Sequence, residues 1–391
     1  MIQFDPFDHK THDNPYPLYQ ELRDNEPLYR NEKFGFWVVS RYDDCVQVLR
    51  DFKTFCNRQG QTLEPVGETV PPILLLMDPP HHTRLRKVVA RVLTPELVSH
   101  LDAEIRTLAR ELLAPFAHKN SMDIVKDFSA LLPMAIISRM LKIPQCDEDL
   151  MRGWSDATVH RDDGVYAMPE SGLKATLAMY QYLDNLTAER RKHPYSNDLV
   201  SLILQAEDAG DVTHEEVVGF LYLLALAGNE TTTKLIGNMA YQLSEHPAQL
   251  KLLTEDPSLI GSAIEEVMRF DGPTQLQART ATVDVEMHGK TIRKGDKVGI
   301  LFIAANRDER HFPQADTFDV RRNPRDHIGF GAGVHACLGA ALARLEVKIA
   351  FEELFKITHD FKVIKEGLTR MHSPNVRGYT SVPITFTPLA G

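Results

Sequence analysis

The chain has no apolar run long enough to cross a bilayer. Its longest, residues 217–228, falls well short of the ~20 residues a spanning helix requires. It has no surplus of positive charge either. A formal net charge of −10 argues against nucleic acid as a general partner. Cysteine is scarce, and Cys45, Cys56, Cys146 and Cys337 lack the regular spacing of a disulfide framework, which favours a reducing cytosol over secretion. No Pro/Ser linker, internal repeat or low-complexity tract interrupts the sequence, so one continuous domain over residues 1–391 is expected. The opening segment MIQFDPFDHKTHDNPYP is polar and acidic and shows no signal peptide. These absences point to a soluble cytoplasmic protein, expected as a monomer.

Glycine, by contrast, is concentrated in one place. Residues 329–339 read GFGAGVHACLG and bracket a single thiol, Cys337, just before a helix-like run over 340–355. A cysteine where a glycine-rich loop becomes a helix meets free amide N–H groups and the positive end of the helix dipole, which favour a thiolate. Glycines around it let a flat ligand approach, which suits an axial haem ligand. A nucleotide loop is disfavoured because Val334 stands where G-x-G-x-x-G needs its third glycine. A structural zinc site would need further cysteines or histidines near His335 and Cys337. On spacing alone, haem ligation and a buried small hydrophobe both fit Cys337.

A second break with local rules lies in the middle of the chain. Thr213-His214-Glu215-Glu216 is a capping box opening a helix that runs to about Glu245, roughly 45 Å of helix, stopped by His246-Pro247. Its first half is apolar all round, as in a buried helix. Then Asn229-Glu230-Thr231-Thr232-Thr233 puts a carboxylate and three hydroxyls into that core, the kind of local conflict that marks functional sites. Glu230 pairing with a buried base is the structural alternative.

The run Phe330-Gly331-x-Gly333-x-His335-x-Cys337-x-Gly339 resembles the haem-binding signature of the cytochrome P450 family at every position. Ala227-Gly228-Asn229-Glu230-Thr231 is similar to that family's oxygen-activation motif, and Asp78-Pro79-Pro80-His81-His82-Thr83-Arg84-Leu85-Arg86 to its propionate-binding segment. Glu266-x-x-Arg269, Arg279, Ala305-Asn306-Arg307-Asp308, Phe318-Asp319-Val320-Arg321 and Val376-Arg377-Gly378 follow in the family's order. The resemblance implies the cytochrome P450 fold, mainly helical with a smaller β region (α+β). It implies heme b, with Cys337 as axial ligand, Phe330 shielding the sulfur, and His82, Arg86, Arg279 and His335 on the propionates.

By the same resemblance the activity is a monooxygenase hydroxylating an apolar small molecule with dioxygen. Electrons would come from a ferredoxin and its reductase, with Arg84, Lys87 and Arg325 as candidate docking contacts. Thr231 would bond the oxygen, Glu230 would link it to solvent protons, and Ala227 would leave room above the iron. Leu75, Leu223, Leu226 and Gln277 would wall a pocket for a steroid, terpenoid, polyketide or fatty-acid-like substrate. Gln275 and Gln277 would make one wall polar. A peroxide-driven peroxygenase or coupling enzyme, and a non-catalytic haem or carrier-binding protein, are the alternatives on the same scaffold. Either Arg321 or Arg322 would complete the Glu266/Arg269 clamp.

Elsewhere the pattern predicts helices over 15–24, 43–49, 81–92, 95–116, 124–141, 173–191 and 260–270, and strands over 27–29 and 36–39. Residues 55–80 read as an irregular, proline-bearing segment of a binding site. Residues 161–172 read as a mobile connection and a lid over the substrate entrance.

Overall fold

The structure, a computed structural model, describes residues 2–64, 72–193 and 198–389. Pro65 and Pro71 of the irregular segment lie outside that range. The fold is a helical body with small sheets at its margins, organised on the helix His214–Glu245. That helix begins as its capping box requires: the Glu216 N–H donates to the Thr213 hydroxyl at 3.3 Å, and the Thr213 N–H to the Glu216 carboxylate at 2.9 Å. Val217, Leu221, Ala225 and Leu235 are buried along it. It packs against the helices Leu132–Leu141, Glu170–Arg190, Ile260–Asp271 and Ala340–Leu354. Each fully buried Leu or Val side chain contributes about 1.5–3 kcal/mol, so burial, not intrinsic propensity, holds this β-branched helix.

Several predicted elements are cut differently. Residues 95–116 divide into Pro95–Ser99, Asp102–Leu113 and a tight turn Ala114–Phe116. Residues 124–141 divide into a wide turn, Ile124–Ser129, and the helix Leu132–Leu141. Pro133 falls in the helix's first turn, where its missing N–H costs nothing. The helix expected over 173–191 starts earlier, at Glu170 directly after Pro169. The helices Glu148–Val159 and Leu199–Asp208 were not anticipated.

The connection read as a lid is therefore shorter, and both of its ends are tied. Arg161 is buried and pairs with Glu64 at 2.9 Å, while the Tyr166 hydroxyl donates to the Leu63 carbonyl at 2.5 Å. In the segment 55–80, Phe55–Cys56 forms a strand and Leu74–Leu76 a 3-10 turn, with Leu74 buried.

The main sheet has five strands in the order Leu28–Asn31, Phe36–Val39, Lys297–Leu301, Leu276–Ala281, Phe55–Cys56. Its pairs are antiparallel except Phe36–Val39 beside Lys297–Leu301. A three-stranded sheet joins Ser121–Asp123, Pro383–Phe386 and Phe361–Val363.

Two buried ion-pair networks lock the loops that carry the site. Glu266 and Arg269, both fully buried, form a bidentate pair at 2.7 and 2.8 Å. Arg269 also donates to the carbonyls of Asn306, Ala315 and Thr317. The third partner is Arg322, whose Nε lies 3.3 Å from Glu266, so Arg322 and not Arg321 completes the clamp. In the second network Asp271 accepts from Arg377 at 2.8 Å, from Tyr16 at 2.5 Å and from Gln242 at 2.8 Å. Despite its burial, Arg377 and neighbouring cations hold the Asp271 carboxyl down to about 2.

Candidate functional site

The glycine-rich loop turns back on itself through Gly331 and Gly333, whose φ angles of 74° and 70° lie in the left-handed region. A Cβ on Gly333 would come within 2.9 Å of the Leu49 carbonyl oxygen, so the loop and the helix Tyr42–Arg50 meet through the absence of a side chain. The Cys337 N–H donates to the Phe330 carbonyl at 2.8 Å, and the helix Ala340–Leu354 follows at once. This places the thiol on the wall of a cavity, where its surface is open to the cavity while protein packs densely around it.

Local electrostatics do not produce the thiolate expected at this helix start. Burial pushes the Cys337 thiol above its ordinary range, against the opposing pull of the Gly339 amide, Arg86 and Arg344. The helix end is therefore too weak alone to ionise the sulfur. A metal ion bonded to the sulfur would do so outright.

The cavity gives the centres of water molecules about 210 Å³. Phe330, Gly331, Gly339 and Cys337 line it from the loop side, Leu223, Ala227 and Thr231 from the long helix, and Leu75 and Gln277 from elsewhere. Where a Cβ on Gly339 would stand, no described atom lies within 4 Å. The Thr231 hydroxyl donates to the Ala227 carbonyl one turn back at 2.8 Å, the local bond that loosens helices.

Arg86, Arg279 and His335 add a cationic margin. Arg279 is buried, donates to the Ala278 carbonyl at 2.8 Å, and has its guanidinium pulled down to about 10 by that burial. His82 stands behind His335, ring centres 4.2 Å apart, and does not itself line the cavity. Beyond a weak approach of His335 to the Met77 backbone, neither ring has a hydrogen-bond partner among the described residues. Burial lowers both, His82 to about 4 and His335 to about 3, so both rings are neutral near pH 7. The lasting positive charge comes from the two arginines.

Two expected wall residues, Leu226 and Gln275, are placed elsewhere. The cavity face of the long helix runs through Phe220, Leu223, Leu224, Ala227, Gly228, Thr231 and Leu235. At ~100° per residue, Leu226 lies a quarter-turn off that stripe and packs into the core. Gln275 is buried outside the lining, leaving Gln277 as the polar wall. Glu230 also faces away from the cavity. It sits 3.4 Å from Lys234, both buried, in a separate cleft with Asp156, Arg152 and Lys126. Burial lifts its carboxyl to about 7, with Lys234 opposing and Asp156 adding to the rise.

Glu346 was missed from the sequence. It lies on the helix after Cys337, lines the cavity, and is 1% exposed. Burial pushes its carboxyl up to about 8 against a hydrogen bond to Thr232, so it is protonated at neutral pH. The available signal was a carboxylate on the apolar stripe Leu342, Ile349, Ala350, a place where a helix normally keeps no charge.

The three candidate docking cations, Arg84, Lys87 and Arg325, are all exposed. Arg84 is engaged: it pairs with Glu216 and donates to the Asp211 carbonyl, so it acts as a strut at the start of the long helix.

A family model described as "Cytochrome P450" matches residues 170–374. A Mycobacterium tuberculosis protein that carries the name cytochrome P450 123 is 38% identical over 390 residues, covering 98% of this chain and 97% of that protein. Cytochrome P450 CYP107DY1 of Priestia megaterium is 34% identical, covering 94% and 95%. Among solved structures, CYP109E1 from Bacillus megaterium in complex with testosterone superposes with a TM-score of 0.91 at 31% identity, covering 97% of this chain and 99% of that one. Cytochrome P450 CREJ in complex with (4-ethylphenyl) dihydrogen phosphate superposes with a TM-score of 0.92 at 30% identity, covering 99% and 100%. Likeness at this level, from one end of the chain to the other and in both sequence and fold, makes the chain a member of the cytochrome P450 family, a monooxygenase that binds heme b.

Proposed function

We propose that the cavity holds heme b on Cys337 and oxidises an apolar small molecule with dioxygen and electrons from a ferredoxin. The observation that carries this reading is the cavity itself, which gathers one thiol, the Thr231 hydroxyl and a cationic margin on largely apolar walls. The fit to heme b is specific. The cavity-lining His335, whose ring nitrogens are without a side-chain partner among the described residues, and the buried Arg279 are what propionate carboxylates would satisfy, with His82 behind His335. The gap at Gly339 admits a flat ring system close to the backbone.

Bound there, heme b supplies the redox chemistry that activates dioxygen. Cys337 Sγ is its ligand, made anionic by that bond in spite of a site that favours the thiol. Arg86, Arg279 and His335 hold the carboxylates, with His82 supporting His335. Phe330, under the Arg344 guanidinium at 4.3 Å, shields the sulfur. The apolar wall of Leu75 and Leu223 excludes water and receives substrate, and Gln277 offers it a hydrogen bond. Thr231 Oγ1, released from the Ala227 carbonyl, positions the oxygen and passes it a proton. Glu230, which titrates near neutrality, brings protons from the cleft of Lys126 and Arg152.

For substrate we infer a steroid, terpenoid, polyketide or fatty-acid-like molecule; the CYP109E1 complex with testosterone supports the steroid member of that set. Titrating such compounds into purified protein and following the haem absorption band identifies the class. Ligation is tested on Cys337→Ser, which should lose the red-shifted carbon-monoxide band of thiolate-bound ferrous haem; a variant that kept the band would refute it.

For the electron donor, Lys87 and Arg325 are the cations assigned to an acidic ferredoxin. Their double reversal to Glu should slow reduction and flatten its salt dependence. Unchanged rates at low salt would place docking elsewhere. Among the described residues no helix is long and apolar enough to cross a membrane, and Cys45, Cys56, Cys146 and Cys337 are all free thiols, which supports a monomeric, cytoplasmic enzyme.

A further inference from the structure

Well apart in sequence from the haem motifs, three histidines from the two ends of the chain meet. His9 and His12 are neighbours on the short helix His9–Asp13, and His372 lies just past the strand Thr369–Arg370. With each ring offering one nitrogen, the three nitrogens lie within 4.8 Å of one another. The His9 and His372 rings stack at 3.7 Å, and His12 sits 5.8 Å from each.

The hydrogen bonds around the rings select which nitrogens are free. His12 Nε2 lies 2.7 Å from the Pro6 carbonyl, and His9 Nε2 lies 3.2 Å from the Arg161 carbonyl. A carbonyl only accepts, so each Nε2 carries the proton and each Nδ1 keeps its lone pair, the arrangement of metal-ligating histidines. His12 is 2% exposed, yet its Nδ1 has no partner among the described residues, and neither has His372 Nδ1. Buried imidazole nitrogens are normally satisfied. Here two rings with an unpartnered nitrogen stand in one small space with a third.

We propose that His9, His12 and His372 form a three-histidine site for a divalent transition ion of the zinc type. Nitrogens at ~2.0–2.1 Å from a tetrahedral zinc stand ~3.3 Å apart. The half-exposed His9 and His372 close the remaining distance by rotating their rings, which also unstacks them. Asp163 accepts the His9 backbone N–H at 2.9 Å, which holds the connection 160–169 beside the site, and solvent would take the fourth position. Imidazole ligands with one water suit zinc better than magnesium or calcium.

Such an ion would tie three segments at once: the N-terminal helix, the loop at residue 372, and the connection 160–169. Backbone bonds already stitch them, from Arg161 N–H to the His372 carbonyl at 3.1 Å and from Gly164 N–H to the Phe7 carbonyl at 2.8 Å. The ion is therefore structural and stiffens the connection between the helices Glu148–Val159 and Glu170–Arg190.

The test uses haem-loaded protein stripped with a chelator and dialysed against zinc chloride, with zinc and iron counted by mass spectrometry. One zinc per haem iron is expected. His9→Ala and His372→Ala should each weaken binding by at least about tenfold while keeping the parent haem spectrum and thermal midpoint without zinc. Zinc should also slow amide exchange over 160–169 in the parent and not in either variant. No bound zinc, or equal binding by parent and both variants, overturns the site. Tight binding with unchanged exchange overturns the stiffening role.

Discussion

Glu346→Gln should make the protein more stable, by an amount that grows with pH. Glu346 is buried on the cavity wall, and its Oε1 has no partner among the described residues. Its folded-state pKa is about 8 against an ordinary 4.5. Between those values the folded chain holds a proton that the unfolded chain has released. Stability must then fall as pH rises from 4.5 through 8. At pH 7 the cost is about 3 kcal/mol, from ~1.4 kcal/mol per unit over the ~2.5 units already crossed. Gln mimics the protonated carboxyl in shape and donor capacity without having to hold a proton. The variant should match the parent near pH 4.5 and exceed it by about 3 kcal/mol at pH 7. Urea midpoints at fixed haem and protein concentration, taken at several pH values, measure the difference between the two. A difference that stayed flat across this window would mean that Glu346 reaches solvent or a cation in the folded protein, and the reasoning would fail.

The clamp and the threonine give two more predictions. Arg269→Met strands Glu266 at full burial and should cost about 3–5 kcal/mol. Arg322→Ala, which leaves the bidentate pair in place, should cost only about 1–2 kcal/mol; equal urea midpoints for the two would contradict the network. Thr231→Ala should still consume reductant but convert at least about tenfold less of it into product, while Thr231→Ser should recover most of the coupling. Coupling in Thr231→Ala equal to the parent's would remove Thr231 from the proton path.

Features that depend on neighbours in sequence were legible. The capping box at Thr213 and the stop at Pro247 each follow from a side chain acting on backbone within four residues, and the helix after Cys337 from apolar residues at helical spacing. The split at Pro133 was legible in principle, since a proline that far into a helical pattern marks a first turn. Features that depend on a distant partner were not legible. Arg321 and Arg322 are adjacent and chemically identical, and only the path of the chain past Pro313 and Gln314 puts Arg322 on Glu266. Arg84 reads as a free surface cation until the turn at Asp211 is brought beside it.

The same distinction explains why the acid and the alcohol of the oxygen-activation motif part company. Glu230 and Thr231 are consecutive, so on a helix they point ~100° apart. Glu230 falls just outside the arc of the helix that faces the cavity, and Thr231 falls within it. The hydroxyl takes the cavity side because the stripe through Leu223 and Ala227 carries it there, and the carboxylate turns into a cleft where Lys234 meets it one turn later. In the proposed relay, that divergence sets the hydroxyl beside the cavity and the acid in the cleft with Lys126 and Arg152. A proton passing between them must cross the turn in which the Thr231 hydroxyl donates to the Ala227 carbonyl.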